Sequence, residues 1–178
     1  KPLAGYPLVS WSIIPALEVC DVVILTTNDP QVLALGWCHE RLRVHRRNDA
    51  LATSRTPDLP VVLDAYRQVD WEPENDVLVL LRPTAPFRRP REIADCASLL
   101  RAVPEAHSVR SVLPVPISAQ KMYRALGTEC VRALYEPVWL EPATDRHRAN
   151  HPRQGLPDTY VACGFVDAVR ADIAHTWL

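Results

Sequence analysis

The apolar positions along the chain fall into two kinds of run. Asp21 to Thr27 (DVVILTT) and Asp76 to Leu81 (DVLVLL) carry almost no polar break. Runs of this length and composition predict strands buried on both faces, as in a parallel sheet. The other runs have helical length or spacing. Pro7 to Leu17 (PLVSWSIIPAL) predicts a helix with Pro7 in its first turn, ended or kinked at Pro15. Asn28-Asp29-Pro30 predicts the cap of a short helix reaching about Cys38. Asp58 to Val69 predicts a helix with Asp58 as its N-cap, and Arg91 to Val103 an amphipathic one. Leu42 to His45 and Ser108 to Val115 read as further strands.

Strand and helix alternate in this order, which predicts an α/β fold with a doubly wound, mostly parallel sheet. A single domain over residues 1–178 is expected. Pro116 to Asn150 breaks the rhythm with short pieces at Lys121 to Leu126 and Val131 to Leu134. An excursion of that length usually carries function or a partner contact. Thr159 to Val166 then resumes as a strand, followed by a helix from Asp167 to about Thr176.

Composition narrows the classes. Nearly half of the 178 residues are apolar, and the net charge is −1. That charge gives no electrostatic reason to expect a nucleic-acid or acidic-membrane partner. No apolar run approaches the ~20 residues that span a bilayer. The five cysteines are scattered without a C-x-x-C pair, which fits a reducing cytoplasm rather than a disulfide framework or a zinc site. The basic clusters at Arg41 to Arg47 and Arg88 to Arg91 read as solvated faces unless a site claims them.

Ligands of open α/β sheets bind beyond the carboxyl ends of the strands. Thr26 to Asp29, Arg82 to Arg88 and the loop near Cys163-Gly164 fall there, and the loop from Asn48 to Asp58 can cover them. These segments are rich in arginines and hydroxyls, which is equipment for anions. No Walker A sequence, G-x-G-x-x-G or G-x-S-x-G occurs. In Arg82-Pro83-Thr84-Ala85-Pro86-Phe87-Arg88, two prolines stiffen a loop directly after a buried strand, so its polar groups should hold fixed positions.

Six segments, in order, resemble the CMP-sialic acid synthetase (acylneuraminate cytidylyltransferase) family. Lys1 to Leu8 with Trp11 is similar to the family's RPLAGKPL…W. Thr26-Thr27-Asn28-Asp29 resembles STDD, and Arg47 with Leu51-Ala52-Thr53 resembles RP-x-x-LA-x-D. Leu80 to Arg88 resembles LLQPTSPLR, and Ser108 to Val112 resembles DSVVSV. Arg153-Gln154, Leu156-Pro157, Tyr160 and Cys163-Gly164 resemble RQDLP-x-Y-x-x-NG.

The resemblance implies a Rossmann-like nucleotidyltransferase: a cytoplasmic, CTP-dependent cytidylyltransferase that uses Mg²⁺, with an acidic acceptor and a homodimer built through the 116–150 excursion. It places Arg47, Ala52, Thr56 and Asp58 near the nucleotide, and Arg82, Thr84, Arg88 and Gln154 near the acceptor. The family's glycine-rich triphosphate loop and its late metal-binding aspartates do not fall within residues 1–178. The expectation is that both lie outside this stretch. Catalytic residues and metal ligands are therefore unassigned.

Two departures bear on the acceptor. The family's glutamine is Arg82 here, and its asparagine is Cys163. Arginine reads a carboxylate or phosphonate as a bidentate fork. This predicts a small phosphonate or phosphonocarboxylate acceptor from a natural-product pathway such as antibiotic biosynthesis. The alternatives are a sialic-type sugar acid, transfer of a different nucleotide, or a non-catalytic nucleotide-binding relative.

Overall fold

The computed structural model describes residues 1–70, 72, 74–125, 135–137 and 152–172. The chain forms two compact units, one of residues 1–111 with 164–178 and one of residues 112–163.

The larger unit begins with a hairpin of β1 (Pro2–Leu3) and β2 (Tyr6–Pro7). Its turn puts Ala4 at φ 49° and Gly5 at φ 84°, the paired positive φ of a two-residue hairpin loop. Pro7 therefore sits in an extended ladder and not in the first turn of a helix. Helix α1 (Ser10–Val19) follows and runs through Pro15. Proline here removes one backbone donor, which leaves the Trp11 carbonyl without its usual intrahelical partner, while the ring itself is buried.

Strand β3 (Val23–Thr27) pairs in parallel with β4 (Leu42–Arg46). Between them, Asp29 accepts the Gln31 N–H at 2.8 Å and starts α2 (Pro30–Leu33). This helix is four residues long, shorter than its sequence pattern suggested. Gly36 beyond it sits at φ 64°, a left-handed position that helices do not continue through.

Helix α3 (Asp58–Tyr66) leads to β5 (Val77–Leu80), and α4 (Pro90–Ala102) leads to β6 (Ser108–Pro114). The last strand of the described residues, β9 (Tyr160–Arg170), lies between β5 and β6. It runs antiparallel to β5, pairing Val77 with Arg170 and Leu80 with Asp167. The alternation had suggested a mostly parallel sheet with a helix starting at Asp167. Instead the strand continues through Asp167 to Arg170.

The core has two centres. Ile13, Leu25 and Leu42 join α1 to β3 and β4, while Ala16, Ile93 and Val166 join α1, α4 and β9. Helix ends are tied by arginines. Arg41 Nη1 donates to the Cys20 carbonyl beyond α1, and Arg170 donates to the Leu100, Val103 and Ala106 carbonyls at the end of α4.

The smaller unit holds β7 (Tyr123–Ala125) antiparallel to β8 (Tyr135–Pro137), and a short 3₁₀ turn at Arg153–Gly155. The short piece at Val131 to Leu134, and most of the 116–150 excursion, lie outside the described residues. No helix of the described residues is long and apolar enough to cross a membrane.

Candidate active site

Strands β3, β4 and β5 end at Thr27, Arg46 and Leu80, and α3 begins at Asp58. A cleft of about 1130 Å³ is lined there by Thr26, Thr27, Asp29, Arg47, Ala52, Thr53, Thr56, Asp58, Arg82 and Pro83, among others. All four residues expected near the nucleotide, Arg47, Ala52, Thr56 and Asp58, thus lie on one cleft with Arg82.

Arg47 follows β4 and turns back on β3. Its backbone N–H donates to the Thr27 carbonyl at 2.9 Å, and its Nη2 donates to the Thr26 carbonyl at 2.7 Å. Arg47 Nε and Thr26 Oγ1 are buried without a hydrogen-bond partner among the described residues. Buried polar groups without partners are rare and expensive. The loop beyond is shaped by short local bonds: Asn48 Oδ1 accepts the Ala50 N–H, and the Thr53 and Thr56 hydroxyls meet at 2.7 Å.

Asp58 does not cap α3. The helix starts after Pro57 without a side-chain cap, and Asp58 instead pairs with Arg82 Nη2. Arg82 Nη1 donates to Asp167 Oδ2 at 2.6 Å. Both terminal nitrogens of the guanidinium are therefore held by carboxylates of this chain. The Asp167 bond, followed by Asp58, holds the Arg82 pKa above its usual value against the opposing effect of burial. Gly164, at φ 64°, makes room for this arrangement, because a Cβ there would lie 3.2 Å from Arg82 Nη1.

Arg88 was expected at the acceptor, yet it is a buried structural tie, 4% exposed. Nε donates to the Phe165 carbonyl at 2.8 Å, Nη1 to Ser12 Oγ at 2.6 Å and Nη2 to the Arg82 carbonyl at 2.8 Å. Its guanidinium also lies over the Phe165 ring. Burial, and then the nearby Arg82 charge, lower its pKa. Thr84 is exposed in the loop and does not line the cleft. Gln154 is exposed in the smaller unit.

Neither Asp167 nor Ser12 was expected at the site from the sequence. An acid inside the apolar run VACGFVDAV was the available signal, since a buried carboxylate needs a partner. Among the described residues no three His, Cys, Asp or Glu side chains gather to hold a metal ion. Asp58 and Asp167 do converge, but the cation between them is the Arg82 guanidinium.

A search of solved structures matches 99% of this chain to 68% of a CMP:2-keto-3-deoxy-manno-octonic acid synthetase complexed with CTP, at a TM-score of 0.61 and 19% identity. The chain shares the fold of that structure. A curated relative gives independent support from sequence. The chain is 28% identical over 120 residues to the CMP-N,N'-diacetyllegionaminic acid synthase of Legionella pneumophila. That alignment covers 65% of this chain and 50% of the relative, so the chain spans half the length of that synthase. No protein-family model matches. Both similarities support the family resemblance carried by the six sequence segments.

Proposed function

We propose that the protein transfers CMP from CTP to a sugar acid. An acceptor hydroxyl attacks the α-phosphorus, the new O–P bond replaces the bond to the β-phosphate, the hydroxyl proton is lost and pyrophosphate leaves. Such chemistry is mainly positioning and charge neutralisation. The carrying observation is the pair of buried, unpartnered polar atoms, Arg47 Nε and Thr26 Oγ1, on the cleft at the carboxyl ends of β3 and β4. A donor and a hydroxyl held there suit a polyanionic nucleotide. Mg²⁺ would supply shielding of the triphosphate charge.

The acceptor reading moves from phosphonate to sugar acid. The phosphonate expectation rested on an arginine fork open to ligand, and both terminal nitrogens of Arg82 are engaged within the protein. Both relatives are named for sugar acids. A homodimer is part of the same proposal. Its support is the exposed Val112, Leu113, Ile117, Met122, Tyr160 and Val161 of the smaller unit, an apolar set that favours a protein contact.

Pyrophosphate release with CTP and a panel of sugar acids and small phosphonates tests the assignment. Turnover with a sugar acid is the expected result. Turnover with a phosphonate alone would return the acceptor to the other class. Binding of CTP without turnover of any acceptor would leave a nucleotide-binding relative. Thermal shifts with CTP, ATP, GTP and UTP test base choice, with the largest shift expected for CTP.

A further inference from the structure

The basic run from Arg41 to Arg47 is only partly absorbed by the fold and the cleft. Arg41 ties the end of α1, Arg47 turns back onto β3, and His45 Nε2 meets Asp64 Oδ2 of α3 at 2.7 Å. Arg43 and Arg46 remain. Both are exposed on β4, and neither has a carboxylate partner among the described residues. Arg43 Nη1 donates to the Glu40 carbonyl at 2.6 Å, which holds its guanidinium beside the strand. Between the two arginines, Val44 is 42% exposed.

Among the described residues β4 pairs with β3 alone. Val23 N–H donates to the Arg41 carbonyl and Arg47 N–H to the Thr27 carbonyl, and the register sets Val23 opposite Leu42 and Thr27 opposite Arg46. In such a parallel ladder Arg41, Arg43, His45 and Arg47 turn their backbone groups to β3, while Leu42, Val44 and Arg46 turn theirs outward. The Leu42 N–H is taken by the His39 carbonyl at 3.0 Å. Val44 and Arg46 each keep a donor and an acceptor on the outer edge, with no backbone partner there among the described residues.

Side chains along β4 alternate between the two faces of the sheet. Leu42 joins the core with Ile13 of α1, so Val44 and Arg46 share the α1 side. His45 reaches Asp64 of α3, so Arg43 shares the α3 side. A strand laid along this edge therefore meets one unpaired guanidinium on each of its faces, with a valine between them.

We propose that the outer edge of β4 docks an acidic extended segment of another protein, which adds to β3 and β4 as an antiparallel strand. Val44 and Arg46 each exchange both backbone bonds with the residue opposite. Opposite Arg46, His45, Val44 and Arg43, in that order, the incoming strand reads Glu-x-Val-Glu, with a carboxylate against each arginine and a β-branched residue against Val44. Charge complementarity selects this occupant over a second copy, because β4 against β4 brings basic side chains onto basic ones.

Amide hydrogen exchange on the whole chain tests this, with the capped peptide Ser-Glu-Thr-Val-Glu-Ser as the probe. At saturating peptide, exchange at Val44 and Arg46 should slow at least ~5-fold, while the Arg43 and His45 amides, already donated to β3, change little. The Arg43→Gln/Arg46→Gln variant should bind the peptide roughly 5-fold more weakly at unchanged Tm. A peptide with Gln for both Glu residues should lose affinity equally, and one with Pro in place of Val should protect neither amide. Protection by the proline peptide, or an equal effect from a single-stranded oligonucleotide, would reduce the site to a contact for any polyanion and overturn the proposal. Equal binding of the Gln peptide, or no protection of Val44 and Arg46, would overturn it too. Protection that rises with chain concentration in the absence of peptide would assign the edge to a second copy and refute it.

Discussion

Arg82 and Arg88 stand six residues apart at the two ends of one loop, and the fold treats them in opposite ways. Arg82 lies between two carboxylates, Asp58 and Asp167, which raise its pKa. Arg88 is buried against a hydroxyl and two carbonyls, and burial lowers its pKa. One is a charge neutralised by charges; the other is a charge solvated by neutral dipoles. They are also linked, since Arg88 Nη2 holds the Arg82 carbonyl. An arginine in a loop at the carboxyl end of a strand can thus serve the loop itself. Here the rear arginine fixes the backbone, and the front arginine locks the N-terminus of α3 to β9.

The largest effect is expected from Arg88→Ala. It would leave the Phe165 and Arg82 carbonyls and Ser12 Oγ without their donor inside the protein. Unmade buried hydrogen bonds each cost about 1–3 kcal/mol, so a loss of roughly 3 kcal/mol or more is expected in urea unfolding. Arg82→Gln should cost less, about 2 kcal/mol, because the Asp58 end is mostly exposed and screened. Much of that loss comes from Asp167, whose side chain is 12% exposed and whose Oδ1 is buried without a partner among the described residues. The Arg82→Gln/Asp167→Asn double variant should therefore recover part of the stability, and a strictly additive double would show that the two residues are uncoupled.

Asp58→Asn sharpens the functional side. It removes a carboxylate from Arg82 Nη2 and leaves the Asp167 bond in place. Stability should change by under ~1 kcal/mol. Affinity for anionic ligands should rise, measured as a lower KM or a larger thermal shift with inorganic pyrophosphate.

The smallest effect is expected at the start of α4, just past the loop. Glu92 accepts from the Arg89 backbone N–H at 2.8 Å and from its guanidinium, and these bonds lower its pKa from 4.5. A depressed carboxyl contributes stability that is present above its unfolded pKa and lost as pH falls through the folded value. Glu92→Ala should cost about 0.5 kcal/mol at neutral pH, and the difference from the parent should vanish in acid.

The α/β alternation was legible because each element carries its own local periodicity. Asp29 as a cap and the loop at Arg82–Arg88 were legible for the same reason. What escaped the sequence depends on partners far along the chain. Asp167 looks like the start of a helix until Arg82, 85 residues away, is placed beside it. Asp58 resembles a helix cap, and only the third dimension offers it a guanidinium instead. Arg88 could be assigned to a ligand because nothing near it in sequence reveals Ser12, 76 residues away. The direction of β9 was equally hidden, since its composition suits either orientation. The cleft was half legible. Arg47, Ala52, Thr56 and Asp58, which the resemblance groups together, line one cleft, but that Arg82 joins them there, and what engages it, required the fold.

Trp11 donates its indole N–H to the Leu3 carbonyl and meets Phe87 edge-on, with ring centroids 6.2 Å apart. Phe87 itself is 72% exposed, at the rear of the arginine loop. The indole thus touches both the N-terminal hairpin and the loop that carries Arg82, which makes it an intrinsic optical probe. With the chain's other four tryptophans replaced, a change in either segment should alter its emission, so loop rearrangement on ligand addition can be followed in real time without an attached dye.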